Sequence, residues 1–314
     1  MLWAGLAGVA GGALAHAAAA AAGGLGRARP ARGAGLLGLG GTSPEELAAA
    51  FQRASGLGGD LGAAEAEWGA ALGLAEGVRD PSLRRRGTAA ALSNRGAIRL
   101  QAGDWTGARE DLKAAIAMDR EEGQLNGATL NNLGNAEGAE GDWEGALERF
   151  REAAGLEKEM QPIALANLAL GLFQVGRTTE AVAEARSLVR KDPAFWDMYA
   201  ALASFLWASG DEKGAEAAWN DLCVAGGGEG GPAGETAAPL GALAGAGGSG
   251  TKRPVRAGAA CELYAQGTGI VSGRWPPRAI AALDAFLKVS REGAGVGYDG
   301  QTIIVDFRTA AAGP

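Results

Sequence analysis

The chain has 314 residues, room for one extended domain with tails or two small ones. A formal net charge of −7 repels phosphate backbones, which argues against nucleic acid as the main partner. The single histidine, His16, lies in the apolar N-terminal stretch, so the rest of the chain lacks the commonest general base and zinc ligand.

Residues 1–25 carry no Asp, Glu, Lys or Arg and are followed at once by Arg27, Arg29 and Arg32. Such a stretch is long enough to cross a hydrocarbon core about 30 Å thick, but alanine and glycine drive insertion weakly. Three readings stand: a targeting or cleaved signal segment, a retained membrane anchor, or compositional bias with no role. Residues 1–35 are set apart as this segment and its basic linker.

From residue 44 the chain repeats itself. GDWTGAREDLKAA (103–115) and GDWEGALERFREA (141–153) are near copies, with their first glycines 38 residues apart. GDLGAAEAEWGAA begins upstream at Gly59, and GRTTEAVAEARSL and GDEKGAEAAWNDL begin downstream at Gly176 and Gly210. Alanine recurs five residues after each of these glycines, as Ala64, Ala108, Ala146, Ala181 and Ala215. The glycine suits a left-handed turn and the aspartate an N-terminal cap, so each copy reads as helix, turn, helix.

This pattern resembles the tetratricopeptide repeat, a helix–turn–helix unit of 34 residues. Position 7 of the unit holds Phe51, Leu133, Leu168 and Leu202, with Arg95 departing. Position 8 holds Gly96, Gly134, Ala169 and Ala203, with Gln52 departing, and position 24 holds Trp68, Leu112, Phe150 and Trp219, with Ala185 smaller. The resemblance implies an all-α solenoid of about five repeats over 44–224, at 45–78, 89–122, 127–160, 162–195 and 196–224, closed by a C-terminal capping helix. The long spacing from Gly59 to Gly103 places its excess in EGVRDPSLRRRG (76–87), read as a basic contact loop or as a solvated extension of a helix end.

Residues 225–257 are rich in Gly, Ala and Pro and read as a flexible insert. The piece GAGGSGTK within them lacks the order of a phosphate-binding loop. Cys223 and Cys261 flank the insert and form either one bridge or two free thiols; two cysteines cannot make a zinc site alone. In region 258–290, RWPPRAIAALDAFLKV (274–289) predicts a helix with prolines in its first turn and Ile280, Leu283 and Leu287 on one face, Phe286 beside it. It reads as the cap of the last unit, with a partner-binding helix as the rival. In the tail 291–314, GQTIIVDFR alternates like a strand with nothing to pair against.

The resemblance also places the groove. Asparagine at position 6 of three copies, Asn94, Asn132 and Asn167, with Asn131 and Asn135 beside them, makes a polar strip able to meet the backbone of an extended peptide. The alternative is that these amides satisfy local hydrogen bonds. Leu170, Phe173 and Trp207 fall on groove positions 9 and 12 of the last two units and would make an apolar patch unless the cap or the insert covers it. The basic clamp of chaperone-binding relatives is missing, since Ser93, Asn131, Ile163, Asp197 and Ala201 hold its places.

The expected function is therefore binding of other proteins or peptide segments, with no catalytic residues, no metal, no cofactor and no small-molecule substrate. The acid-free N-terminus and the composition resemble plastid repeat proteins of plants and green algae, which implies a thylakoid-associated assembly or maintenance factor. A bacterial envelope adaptor anchored by residues 1–25 is the alternative, and an RNA-binding helical repeat a further one.

Overall fold

The computed structural model describes residues 41–57, 59–156, 158–225, 259–293, 297–298 and 303–304. The expectations for residues 1–40 and for the insert from 226 on lie outside the described residues. The chain divides into two compact units, one ending at Glu157 and one beginning at Lys158.

The first unit comprises α1 (Pro44–Ser55), α2 (Leu61–Glu76), α3 (Pro81–Ala102), α4 (Trp105–Glu121), α5 (Gly127–Ala139) and α6 (Trp143–Leu156). Each helix packs on the next in sequence, and α3 also touches α5. The second comprises α7 (Gln161–Gln174), α8 (Thr178–Lys191), α9 (Trp196–Ala208), α10 (Glu212–Ala225), α11 (Ala259–Ala265), a 3₁₀ turn (Thr268–Ile270) and α12 (Pro277–Gly293). Both are built of helix–turn–helix pairs, so the all-α repeat architecture expected from the sequence is the one present.

Local chemistry sets the helix ends. Ser43 and Glu46 form a reciprocal capping box at α1. Asp60, Asp80, Asp104 and Asn126 each accept a hydrogen bond from a backbone N–H in the first turn of α2, α3, α4 and α5. The turn glycines Gly103, Gly141, Gly176 and Gly210 have φ between 84° and 93°, the left-handed conformation that a side chain would strain.

Small residues then let paired helices cross closely. Ala64, Ala108, Ala146, Ala181 and Ala215 are all fully buried. At Gly134 a Cβ would lie 2.6 Å from Cε1 of Phe150 and 3.1 Å from the carbonyl of Ala146, so helix α5 meets α6 at a distance only glycine permits. Phe150 is itself fully buried in that crossing.

Arg95 departs from the apolar pattern because it is paired. Its Nε and Nη2 donate to the two oxygens of Asp111 at 2.8 and 2.7 Å, and Arg99 adds a third hydrogen bond at 3.0 Å. The hydrogen bond to Asp111 is also the main reason that the Arg95 pKa is raised. The arginine-rich stretch 76–87 is a helix extension for most of its length: α3 starts at Pro81, Arg84 and Arg86 are exposed, and Arg85 pairs with Glu122.

Two features of the C-terminal region differ from expectation. A short helix, α11, precedes the expected one and is joined to α10 by the Cys223–Cys261 disulfide. The tail does find a strand partner, since Ile303–Ile304 pairs antiparallel with Gly297–Tyr298. The partner comes from the tail itself, so no other element had to supply an edge.

Candidate functional site

In the repeat resemblance the first helix of each pair faces the groove; in the second unit these are α7 and α9. α9 (WDMYAALASFLWA) is buried along most of its length and carries one charged residue, Asp197. An isolated buried carboxylate is costly, so this one needs partners.

Those partners come from the C-terminal segment. Arg274 donates from Nη1 and Nη2 to Asp197 at 2.5 and 3.0 Å, and from Nε to the Ile270 carbonyl at 3.0 Å. The Tyr264 hydroxyl donates to the same carboxylate. Tyr264 is 1% exposed, Asp197 8% and Arg274 9%, so the triad is out of water. Burial pushes the Tyr264 phenol well above its ordinary pKa, and the Asp197 charge adds to this, so the phenol stays protonated and donates. Burial works against the Arg274 cation, but Asp197 outweighs it and the pKa is raised.

A second set of contacts begins at the first turn of α12. The Arg278 backbone N–H donates to Oε1 of Gln174 at 3.0 Å, and its Nη1 to the Phe173 carbonyl at 2.9 Å. The guanidinium carbon sits 4.7 Å above the centre of the Phe173 ring, within cation–π range. Arg278 thus adds a cation to the C-terminal end of α7, where positive charge is favoured, and shares the Phe173 carbonyl with the Gly176 N–H at 3.1 Å.

A third set lies further along α12. The Phe286 ring meets Trp207 of α9 at 5.9 Å and Trp219 of α10 at 5.3 Å, both edge to face. Ala279, Ala282, Leu283, Phe286 and Leu287 form the buried stripe of the helix. That stripe is shifted from the sequence expectation, with Ile280 only partly buried.

Leu170 is 3% exposed and Phe173 0%, and Trp207 is partly buried. The open patch that Phe173 and Trp207 would make is corrected here: α12 lies on α7 and α9 and covers both residues. Phe173 also stacks on Phe205, with centroids 4.3 Å apart.

The asparagines Asn94, Asn131, Asn132, Asn135 and Asn167 are all buried, none above 7% exposed. Asn94 donates from Nδ2 to the Ala90 carbonyl of its own helix at 2.8 Å, which is the local hydrogen bond weighed against partner binding. Beside it, the hydroxyls of Ser93 and Thr129 share a buried hydrogen bond of 2.8 Å between α3 and α5.

Sequence reasoning missed the roles of Asp197, Tyr264 and Arg274. The available signals were one carboxylate in an otherwise apolar helix and one arginine flanked by Trp275 and two prolines. Among the described residues no His, Cys, Asp or Glu cluster could hold a metal ion. Among the same residues no helix is long and apolar enough to cross a membrane.

Residues 87–159 match the family model described as tetratricopeptide repeat. Among solved structures the chain is similar to YrrB, described as a TPR protein with an unusual peptide-binding site. The identity is 19%, covering 56% of this chain and 82% of that one, with a TM-score of 0.44. No curated protein matches the chain.

Proposed function

We propose that this protein is a binding scaffold that holds partner segments against the groove faces of its repeat helices, and that it performs no catalysis. The observation that carries this reading is the face of α7 and α9. It presents Asp197, the Phe173 carbonyl, the Gln174 amide and the Trp207 ring, and these already hold a chain segment by charge, hydrogen bond and aromatic contact. Those are the contacts by which a groove takes a helix from another protein.

The scaffold serves the assembly or maintenance of a membrane complex, at the thylakoid in the first reading and in a bacterial envelope in the second. Support comes from the uncharged residues 1–25 with arginines directly after them, which suit targeting or anchoring. The Cys223–Cys261 bridge suits an oxidising compartment under either reading. Sequencing the N-terminus of the mature protein and fractionating its native membranes separates the two.

The binding reading is tested by photo-crosslinking. A benzophenone amino acid is placed at Gln174 or Trp207 on the groove side, or at exposed Ala183 on α8, in the full chain expressed in its native host. We expect a defined set of proteins crosslinked from the groove positions and not from Ala183. Crosslinks from Ala183 alone would move the site to the second helices of the pairs, and none from any position would end the scaffold reading.

A further inference from the structure

We propose that residues 268–289 are an internal occupant of the α7–α9 groove, and that the groove's external ligand is an amphipathic helix of the same chemistry which takes their place. The inference rests on the scaffold reading and says what kind of partner it binds. The occupant's three anchors define the pattern Arg-x3-Arg-x7-Phe, in which Arg274 meets Asp197, Arg278 meets the end of α7, and Phe286 enters between Trp207 and Trp219. The groove supplies acceptors to the head of the helix and aromatic surface to its middle. It therefore selects an N-terminal cationic end followed by a hydrophobic stripe, and it repels an acidic head.

The connections of α12 suit exchange. α11 is fixed to α10 by the disulfide, which lies outside the groove contacts of α12. Between α11 and α12 the chain runs through Gly267 and Gly273, with φ of 123° and 77°. Glycine adopts such angles without strain, so these two turns lead the chain from α11, which the disulfide holds to α10, onto the groove. As an occupant tethered to its own groove, α12 competes at an effective concentration that an external ligand must overcome. Partner affinity is then set by how firmly Arg274 and Phe286 are held, in the manner of a population shift between closed and open states.

The test uses the full oxidised chain and a fluorescently labelled synthetic peptide of residues 268–289 as probe, with binding read by anisotropy. The Phe286→Ala chain, checked for unchanged helical content, should bind the peptide at least about tenfold tighter than the wild type, because its own occupant is weakened. Adding Asp197→Asn to that chain, or placing Arg274→Gln in the peptide, should lose most of the gain.

Equal affinity of wild type and Phe286→Ala overturns the proposal. Should Phe286→Ala fail to fold, hydrogen exchange on the wild type decides. Excess unlabelled peptide should strip protection from amides 279–289 while those of α7 and α9 keep theirs, and unchanged exchange in α12 overturns the proposal as well. Crosslinked partners at Gln174 or Trp207 without peptide exchange would sink this inference and leave the scaffold reading standing. Absence of crosslinks together with successful exchange would end the scaffold reading and leave only the internal occupancy of the groove by α12.

Discussion

At the scale of single residues, buried charge in this chain is paired in some places and unpaid in others. Asp111 is shared by Arg95 and Arg99, and Glu137 lies between Lys113 and Arg149 at 3.5 and 3.7 Å. Burial still raises the Glu137 pKa, since these partners only partly offset it. Asp119 near the end of α4 shows burial alone, which pushes its pKa up to about 6. An acid with a folded pKa above its unfolded value, ordinarily about 3.9, holds more protons folded than unfolded. Its favourable term is complete below about pH 4 and is lost as pH rises through 6. Asp119→Asn should therefore leave stability unchanged near pH 4 and raise it by about 1 kcal/mol above pH 6, after discounting for screening. Urea unfolding of both chains at pH 4, 5, 6 and 7 would show it; parallel curves would mean that the Asp119 pKa is ordinary.

Elements were legible where the information is local. The turn glycines and the alanines five residues after each of them repeat along the chain, and helices α1–α10 form on both sides of those turns. Another local signal went unread. In GDWTG, GDWEG and GDEKG the second glycine donates its N–H to the capping aspartate, at 3.0, 3.1 and 2.9 Å. A Cβ at Gly107, Gly145 or Gly214 would fall 2.1, 2.6 or 2.3 Å from that aspartate's Oδ2, so an alanine there needs the carboxylate to turn, as in the first copy, where Ala63 donates to Asp60 at 3.0 Å. Space, not turn geometry, likewise governs Gly134. Gly134→Ala should destabilise the chain by about 1–3 kcal/mol through overpacking, despite a gain of about 1 kcal/mol in helix propensity. Gly155→Ala, in α6 with nothing within 4 Å of the new methyl, should stabilise by about 0.5–1 kcal/mol. Opposite shifts of the two unfolding midpoints are the check, and a matching gain at both would mean the α5–α6 crossing is looser than described.

On the scale of the whole molecule, the two compact units differ in what completes them. The first is built from helix pairs that follow one another in the chain. The second also draws on a segment beyond residue 258, fixed by the disulfide and by the Asp197 triad. The bridged cysteines are 38 residues apart, and a loop of that length restricts the unfolded chain by about 4 kcal/mol in the entropy model. Reduction with a dithiol should lower the unfolding transition of the unit beginning at Lys158 and leave that of the other in place. Hydrogen exchange resolved by region reports both, and equal loss of protection in the two units would refute it.

The sequence by itself determined the repeat helices, their turns and the small residues at their crossings, because each depends on side chains within one repeat of each other. It also exposed Arg95 as a departure, whose partner Asp111 sits in the same unit. What only the tertiary structure decided is which faces stay open. Asp197 reads in isolation as a lost clamp position, yet it holds Arg274, 77 residues further on. Whether Phe173 and Trp207 form a surface or a seat turns on that pairing. Burial of a helix face depends on whichever distant segment can satisfy its polar atoms, and no local period records that choice.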